Sequence, residues 1–242
     1  MSIINPVIKD AILLIETLFK GAKVSGKSIN LVDSNPNEAE AIENAIRSLD
    51  YQKALRLLQR LDHPNPIVYK TRRGTPLSAM YLAASVGQTQ LVKTISNGLI
   101  DKNPKLEISG RTPLHVAAQR EYLEMMEFLS KCLFKENANP RDDKGITPLH
   151  LAATYGKLEA LKMFLSKNIN KNPPSLIDGK TPLHFAAEQG NLDVVKELLK
   201  HVPDQVNDKS TAKKKPIDYA KEKNHSDVED FLTSFDADVI DL

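Results

Sequence analysis

GRTPLHVAA (Gly110–Ala118), GITPLHLAA (Gly145–Ala153) and GKTPLHFAA (Gly179–Ala187) are three copies of one nine-residue phrase in a chain of 242 residues. Self-similarity at a fixed period marks a repeat architecture and has to be read before any single element. A weaker copy, GTPLSAMYLAAS, begins at Gly74. The Thr-Pro pairs start at Thr75, Thr112, Thr147 and Thr181, in steps of 37, 35 and 34, and a further 34 reaches Lys215-Pro216, where the Thr is lost. A second marker, the turn after the paired Ala, falls at Gly87, Glu121, Gly156, Gly190 and Asn224, and its first step is 34. The markers disagree only between Thr75 and Gly87. Three extra residues, about one helical turn, are therefore expected inside that repeat, at Ser78-Ala79-Met80. Stepping back 37 from Gly87 reaches Asp50, where Ile42, Ala45, Ile46, Leu49, Leu55 and Leu58 outline a degenerate opening repeat. Asn-Pro pairs at 65, 103, 139 and 172 mark loops in the same phase.

Each unit has a physical reading. Thr is a helix N-cap, and Pro at the first helical position gives up no needed hydrogen bond. The Leu and paired Ala that follow make a narrow packing face that lets neighbouring helices approach closely. Gly ends the helix where a positive φ is needed. A second apolar helix follows, such as LEALKMFL from Leu158 or LDVVKELL from Leu192. One repeat is thus two antiparallel helices and a loop.

The phrases TPLHVAA, TPLHLAA and TPLHFAA, with the Gly and the Leu/Val-rich helix at fixed distance, closely resemble ankyrin repeats, with weaker copies at Thr75 and Pro216. The resemblance implies an all-α ankyrin-repeat solenoid over residues 36–234, about six units including degenerate terminal ones. Residues 1–35 are read as an N-terminal helical cap and basic linker, and 235–242 as an acidic C-terminal tail. The implied role is non-catalytic binding of a partner protein, with a regulatory, inhibitory or host-directed adaptor that recruits an enzyme as the alternative. Contacts are expected from loop tips and the exposed ends of first helices. Mapped onto this sequence they are Arg72 and Arg73; Arg111, Gln119 and Arg120; Asp142, Asp143, Lys144, Ile146, Thr154 and Tyr155; Ile177, Asp178, Lys180, Glu188 and Gln189; then Lys213 and Lys214. The basic members recur once or more per unit, which suggests a positive rail for an acidic partner. Glu121 departs from the family's Gly, and a left-handed Glu would be strained by ~1–2 kcal/mol, so that turn is expected to be rebuilt.

One motif points elsewhere. GAKVSGKS (21–28) satisfies the pattern of a phosphate-binding loop, G-x-x-x-x-G-K-[ST]. That loop needs a buried strand before it and a parallel sheet behind it. Val7, Ile8, Ala11, Ile12, Ile15, Leu18 and Phe19 follow helical spacing instead, and only seven residues separate Ser28 from Pro36. A flexible link is the better reading, and a nucleotide-binding enzyme the remote one.

The rest of the chain offers little chemistry. The charges nearly cancel, with 33 basic and 31 acidic residues, which does not announce nucleic acid. Cys132 is the only cysteine, so no thiolate cluster can form and a reducing, cytoplasmic or nuclear setting is expected. It follows an apolar run and is expected in packed core. His115, His150 and His184 recur one per repeat, and the resemblance makes them partners of the motif Thr rather than metal ligands. Asp142 and Asp143 are expected at a solvated loop tip, unsuited to acid–base work. No enzyme, cofactor or metal site is expected, and no membrane segment: Pro6–Lys20 would make a helix of about 22 Å, against a hydrocarbon core of ~30 Å. A monomer is expected. The end, Val239-Ile240-Asp241-Leu242 after Asp236 and Asp238, resembles a SUMO-interacting motif, which would add a short strand to a sheet edge.

Overall fold

The computed structural model describes residues 30–61, 65–70, 76–99, 104–105, 109–132, 139–167, 171 and 173–240. The helical cap and the 21–28 loop expected before residue 30 lie outside them. So do Thr75, Asn103 and Asn172. Two compact units make up the chain, residues 1–108 and 109–242.

In the first unit a short helix α1 (Leu31–Ser34) precedes the pair α2 (Pro36–Arg47) and α3 (Tyr51–Leu58). Asn35 caps α2 by accepting the Glu38 N–H, with Pro36 at the first helical position. Ile42, Ala45, Ile46, Leu55 and Leu58 are buried, as the degenerate repeat requires. Leu49 is not part of that stripe. It is 61% exposed and takes φ 60°, so it serves as the left-handed turn that Gly provides elsewhere. Strands β1 (Ile67–Lys70) and β2 (Pro76–Ser78) then pair antiparallel, with Ile67 opposite Ser78 and Tyr69 opposite Leu77. The second pair is α4 (Ala79–Ser85) and α5 (Thr89–Asn97).

The start of α4 corrects the repeat register. Its N-cap is Ser78, whose hydroxyl accepts the Tyr81 N–H at 3.3 Å, while Pro76 and Leu77 are extended in β2. Ser78-Ala79-Met80-Tyr81 therefore occupies the place of Thr-Pro-Leu-His, one step of 34 before Thr112. The three extra residues precede the helix and do not lie within it. Two pairing strands stabilise Pro76-Leu77 in extended form, and that outweighs the local Thr-Pro signal.

The second unit is four helix pairs: α6 (Pro113–Arg120) with α7 (Leu123–Cys132), α8 (Pro148–Thr154) with α9 (Leu158–Leu165), α10 (Pro182–Glu188) with α11 (Leu192–His201), and α12 (Pro216–Glu222) with α13 (Ser226–Ile240). A 3-10 turn, Pro203–Asn207, follows α11. First helices pack on first helices, with α8 between α6 and α10 and α10 against α12. The Ala pairs 117–118, 152–153 and 186–187 are fully buried, as are Leu114, Leu149 and Leu183. Cys132, the last residue of α7, is exposed: Met125, Met126 and Leu129 form the inward stripe, and the cysteine lies in the final turn beyond them.

Glycine is needed here for space as well as for φ. A Cβ on Gly190 (φ 72°) would sit 2.5 Å from the His225 ring, and one on Gly145 (φ 75°) 2.5 Å from Leu176. Both neighbours belong to the next repeat. At the equivalent points of the last repeat, Lys213 (φ 58°) and Asn224 (φ 60°) are exposed, so only the strain of the left-handed region opposes a side chain there. Glu121 also keeps the left-handed turn, at φ 61° and ψ 39°, so that turn is not rebuilt. Its carboxylate accepts the Glu159 N–H at 3.1 Å, satisfying a free donor in the first turn of α9.

No helix among the described residues is long and apolar enough to cross a membrane. Helix α13 runs through Ile240, so residues 235–240 are helical where a tail was expected.

Candidate interaction surface

The histidines that recur along the sequence turn out to be structural links. His115, His150 and His184 are fully buried, and each Nδ1 accepts the backbone N–H of its own motif Thr at 3.1, 3.1 and 3.2 Å. Because Nδ1 accepts, the proton of the neutral ring is on Nε2. Nε2–H then donates into the following repeat, to the carbonyls of Ile146 (3.0 Å), Lys180 (3.2 Å) and Lys214 (3.1 Å). Burial lowers the His150 pKa to about 4 and pushes His184 down as well. Phe185 and Tyr219 of the next repeats meet the rings of His150 and His184 edge-on at 5.4 and 5.7 Å.

The hairpin loops stack by backbone bonds: Asp143 N–H to Ser109 O (3.1 Å), Leu176 N–H to Lys144 O (2.9 Å) and Thr211 N–H to Asp178 O (3.0 Å). Asp142 is not a solvated tip residue. It is 5% exposed, its Oδ1 accepts the N–H groups of Lys144 and Ile146 at 2.9 Å each, and its Oδ2 pairs with Arg111 Nε at 3.3 Å. A carboxylate that folds its own turn is withdrawn from a partner. Asp178 repeats the device. Burial works against its charge, yet hydrogen bonds from the Ser175 hydroxyl and the Lys180 N–H, and the Lys180 ammonium, hold it below the usual carboxylate range.

The basic residues at the loop bases are largely compensated. Lys180 Nζ lies 2.8 Å from Glu188 and 3.7 Å from Asp178, and 4.3 Å from the centre of the Tyr219 ring. Lys214 pairs with Glu222 in the same eight-residue spacing. Of the expected rail, Lys144 and Lys213 are exposed and Arg111 is held by Asp142, while Arg72 and Arg73 lie outside the described residues. Thr154 donates its hydroxyl to the His150 carbonyl at 2.7 Å, and Ile146 is half-buried.

What remains open lies at the other end of the first helices. Gln119, Arg120 and Tyr155, all expected contact positions, line one open-sided cleft of about 530 Å³ together with Tyr122 and Lys157. Tyr155 is 51% exposed. Glu188 and Gln189 occupy the corresponding place one repeat on, with Glu188 engaged by Lys180 and Gln189 exposed. Tyr122 and Lys157 follow the turn residue, where sequence offset counts them as starts of second helices. Ile177 is exposed at a hairpin tip as expected, beside Leu176 at 69% exposure. Two adjacent large aliphatics between Pro174 and Gly179 were the available signal for Leu176. Of the tail, Val239 and Ile240 fall in α13, so strand addition there would require the helix to unwind, and Asp241 and Leu242 lie outside the described residues. Among the described residues no group of three or more His, Cys, Asp or Glu is placed to hold a metal ion.

Helix pairs joined by turns of fixed period, each linked to the next unit through a His Nε2–H bond to a backbone carbonyl, define a stacked helical repeat protein. The family described as "Ankyrin repeats (3 copies)" matches residues 42–138, 80–175 and 171–241, and the chain belongs to it. It is similar to the nuclear factor NF-kappa-B p105 subunit of chicken, 28% identical over 146 residues that cover 59% of this chain and 14% of that protein. It is also similar to the tyrosine-protein kinase HTK16 of Hydra vulgaris, 31% identical over 100 residues (41% and 13%). A third likeness is to mouse protein phosphatase 1 regulatory subunit 12A, 42% identical over 57 residues (24% and 5%). The chain thus spans a small fraction of the length of each relative.

Proposed function

We propose that this chain is a non-catalytic binding protein that engages a partner protein through first-helix ends and hairpin tips of residues 109–242. The observation that carries the reading is the contrast between repeats. Lys180–Glu188 and Lys214–Glu222 close the row in two repeats, whereas Gln119, Arg120 and Tyr155 surround an open cleft in the two before them. An exposed aromatic beside an Arg is the usual composition of an interface anchor. A regulatory role, in which the bound partner is an enzyme, is supported by the likeness to a protein named as a phosphatase regulatory subunit.

The test is affinity capture with the intact chain, comparing wild type with Gln119→Ala/Tyr155→Ala and with a control, Glu159→Ala, on the exposed side of α9. Captured proteins should be retained by the control and lost from the double variant, whose thermal melt should match the wild type. Retention of every captured protein by the double variant would place the binding face elsewhere.

A further inference from the structure

The cleft between α6 and α8 brings two cations, Arg120 and Lys157, to one site. Among the described residues, seven lysines and arginines elsewhere in 109–242 have carboxylate partners: Arg111, Lys131, Lys162, Lys180, Lys200, Lys214 and Lys221, paired with Asp142, Glu127, Glu159, Glu188, Glu197, Glu222 and Glu229. Arg120 and Lys157 have none among the described residues, and no acidic side chain lines the cleft they share. The carboxylate next to Arg120 in sequence, Glu121, accepts the Glu159 N–H in the first turn of α9. The left-handed turn thus commits that carboxylate to helix capping, and Arg120 is exposed.

We propose that this cleft receives an acidic segment of a partner polypeptide, its carboxylates on Arg120 and Lys157 and its backbone against Tyr122 and Tyr155. The assignment rests on the binding role proposed above and names the chemistry of what is bound. Charge complementarity selects the anion: two cations in a site without an acid attract carboxylates and set the approach of the partner. The shape selects a chain over a small molecule. A small-molecule site buries most of its ligand's surface, which an open-sided cleft of about 530 Å³ cannot do, whereas an extended segment can lie across it. Tyrosine supplies large contact area with few rotors to fix and a hydroxyl for backbone groups. Nucleic acid is disfavoured because the wider basic row is neutralised at Arg111, Lys180 and Lys214, so no continuous track of positive charge exists for a phosphate backbone.

The experiment is fluorescence anisotropy on the intact chain with three labelled 12-residue peptides. One alternates Glu and Ser, the second has Gln for Glu, and the third is the Gln peptide with phosphoserine. The wild type should bind the Glu peptide and not the Gln peptide. Arg120→Ala/Lys157→Ala should weaken binding about tenfold or more. The control Lys144→Ala/Lys213→Ala removes equal charge from loop tips and should change it less than about twofold. Added salt should weaken the wild type more than the cleft variant. Equal loss in both double variants, equal binding of the Gln peptide, binding of the phosphoserine peptide alone, or no binding of the Glu peptide by the wild type would each overturn the proposal. The two readings can fail separately. Captured proteins that survive Arg120→Ala/Lys157→Ala but are lost on Gln119→Ala/Tyr155→Ala would leave the binding face intact and remove only the acidic assignment.

Discussion

In residues 109–242 a buried histidine ring ties each of the first three helix pairs to the next, accepting from its own Thr and donating one repeat onward. In residues 30–108 the corresponding place is held by Tyr81, and the helix start is closed by other means. Ser78 caps Tyr81, and Asn65 Oδ1 accepts the Met80 N–H at 2.9 Å from fifteen residues upstream. The paired strands β1 and β2 hold that approach in place. Asn139 does the same for Leu149 N–H at 3.4 Å, so the Asn cap is common to both units and the histidine link is not. The free N–H groups of a helix start must be satisfied, but the chemistry that does so decides what else the unit responds to. An imidazole link can be protonated; an amide and a hydroxyl cannot.

The largest expected effect lies in what the units share. Leu149 and its counterpart Met80 are fully buried, so Leu149→Ala and Met80→Ala should each cost ~2–5 kcal/mol through lost transfer energy and a cavity. Urea unfolding of each variant measures this. A loss under about 0.5 kcal/mol for Met80→Ala, typical of surface sites, would mean that Ser78-Ala79-Met80 is not the start of a repeat.

Acid should then separate the units. His150 is neutral in the folded chain, with a pKa of about 4 against 6.5 unfolded, so the unfolded state binds more protons between those values. Its contribution is full above pH ~6.5 and is lost as pH falls, by about 3 kcal/mol in all at ~1.4 kcal/mol per pH unit. His184 acts in the same direction. Among the described residues, 30–108 contain no histidine. Between pH 7 and 5 the urea midpoint of the wild type should drop, and His150→Gln should show a shallower drop from a lower start. Parallel slopes would remove His150 as the sensitive group.

The smallest effect tests the register directly. Ser78→Ala removes an N-cap and should cost about 1 kcal/mol. Were the helix to begin at Thr75, Ser78 would be interior, and Ala there would be neutral or stabilising. A change of that sign would restore the sequence reading.

The cleft was half legible. Gln119, Arg120 and Tyr155 could be placed because they hold fixed offsets from the Thr-Pro motif. Tyr122 and Lys157 could not, because sequence offset assigns them to second helices and only the turn geometry brings them beside the first. Asp142 read as a solvated tip because a turn residue looks the same whether its carboxylate faces water or its own backbone.

By itself the sequence determined the period, the helix pairs, the Thr caps and the buried Leu and Ala rows. Each depends on local preference repeated at about 34 residues, so every copy reinforces the others. Tertiary structure alone decided that Thr75-Pro76 is not a helix start, since strand pairing with residues 67–70 competes with the local signal. It decided that Glu121 keeps a left-handed turn, because its carboxylate gains a donor in the next repeat. It also decided which cations are free. Lys180 and Arg120 look alike in sequence, and only the distance from each to a carboxylate, set by packing, neutralises one and leaves the other open.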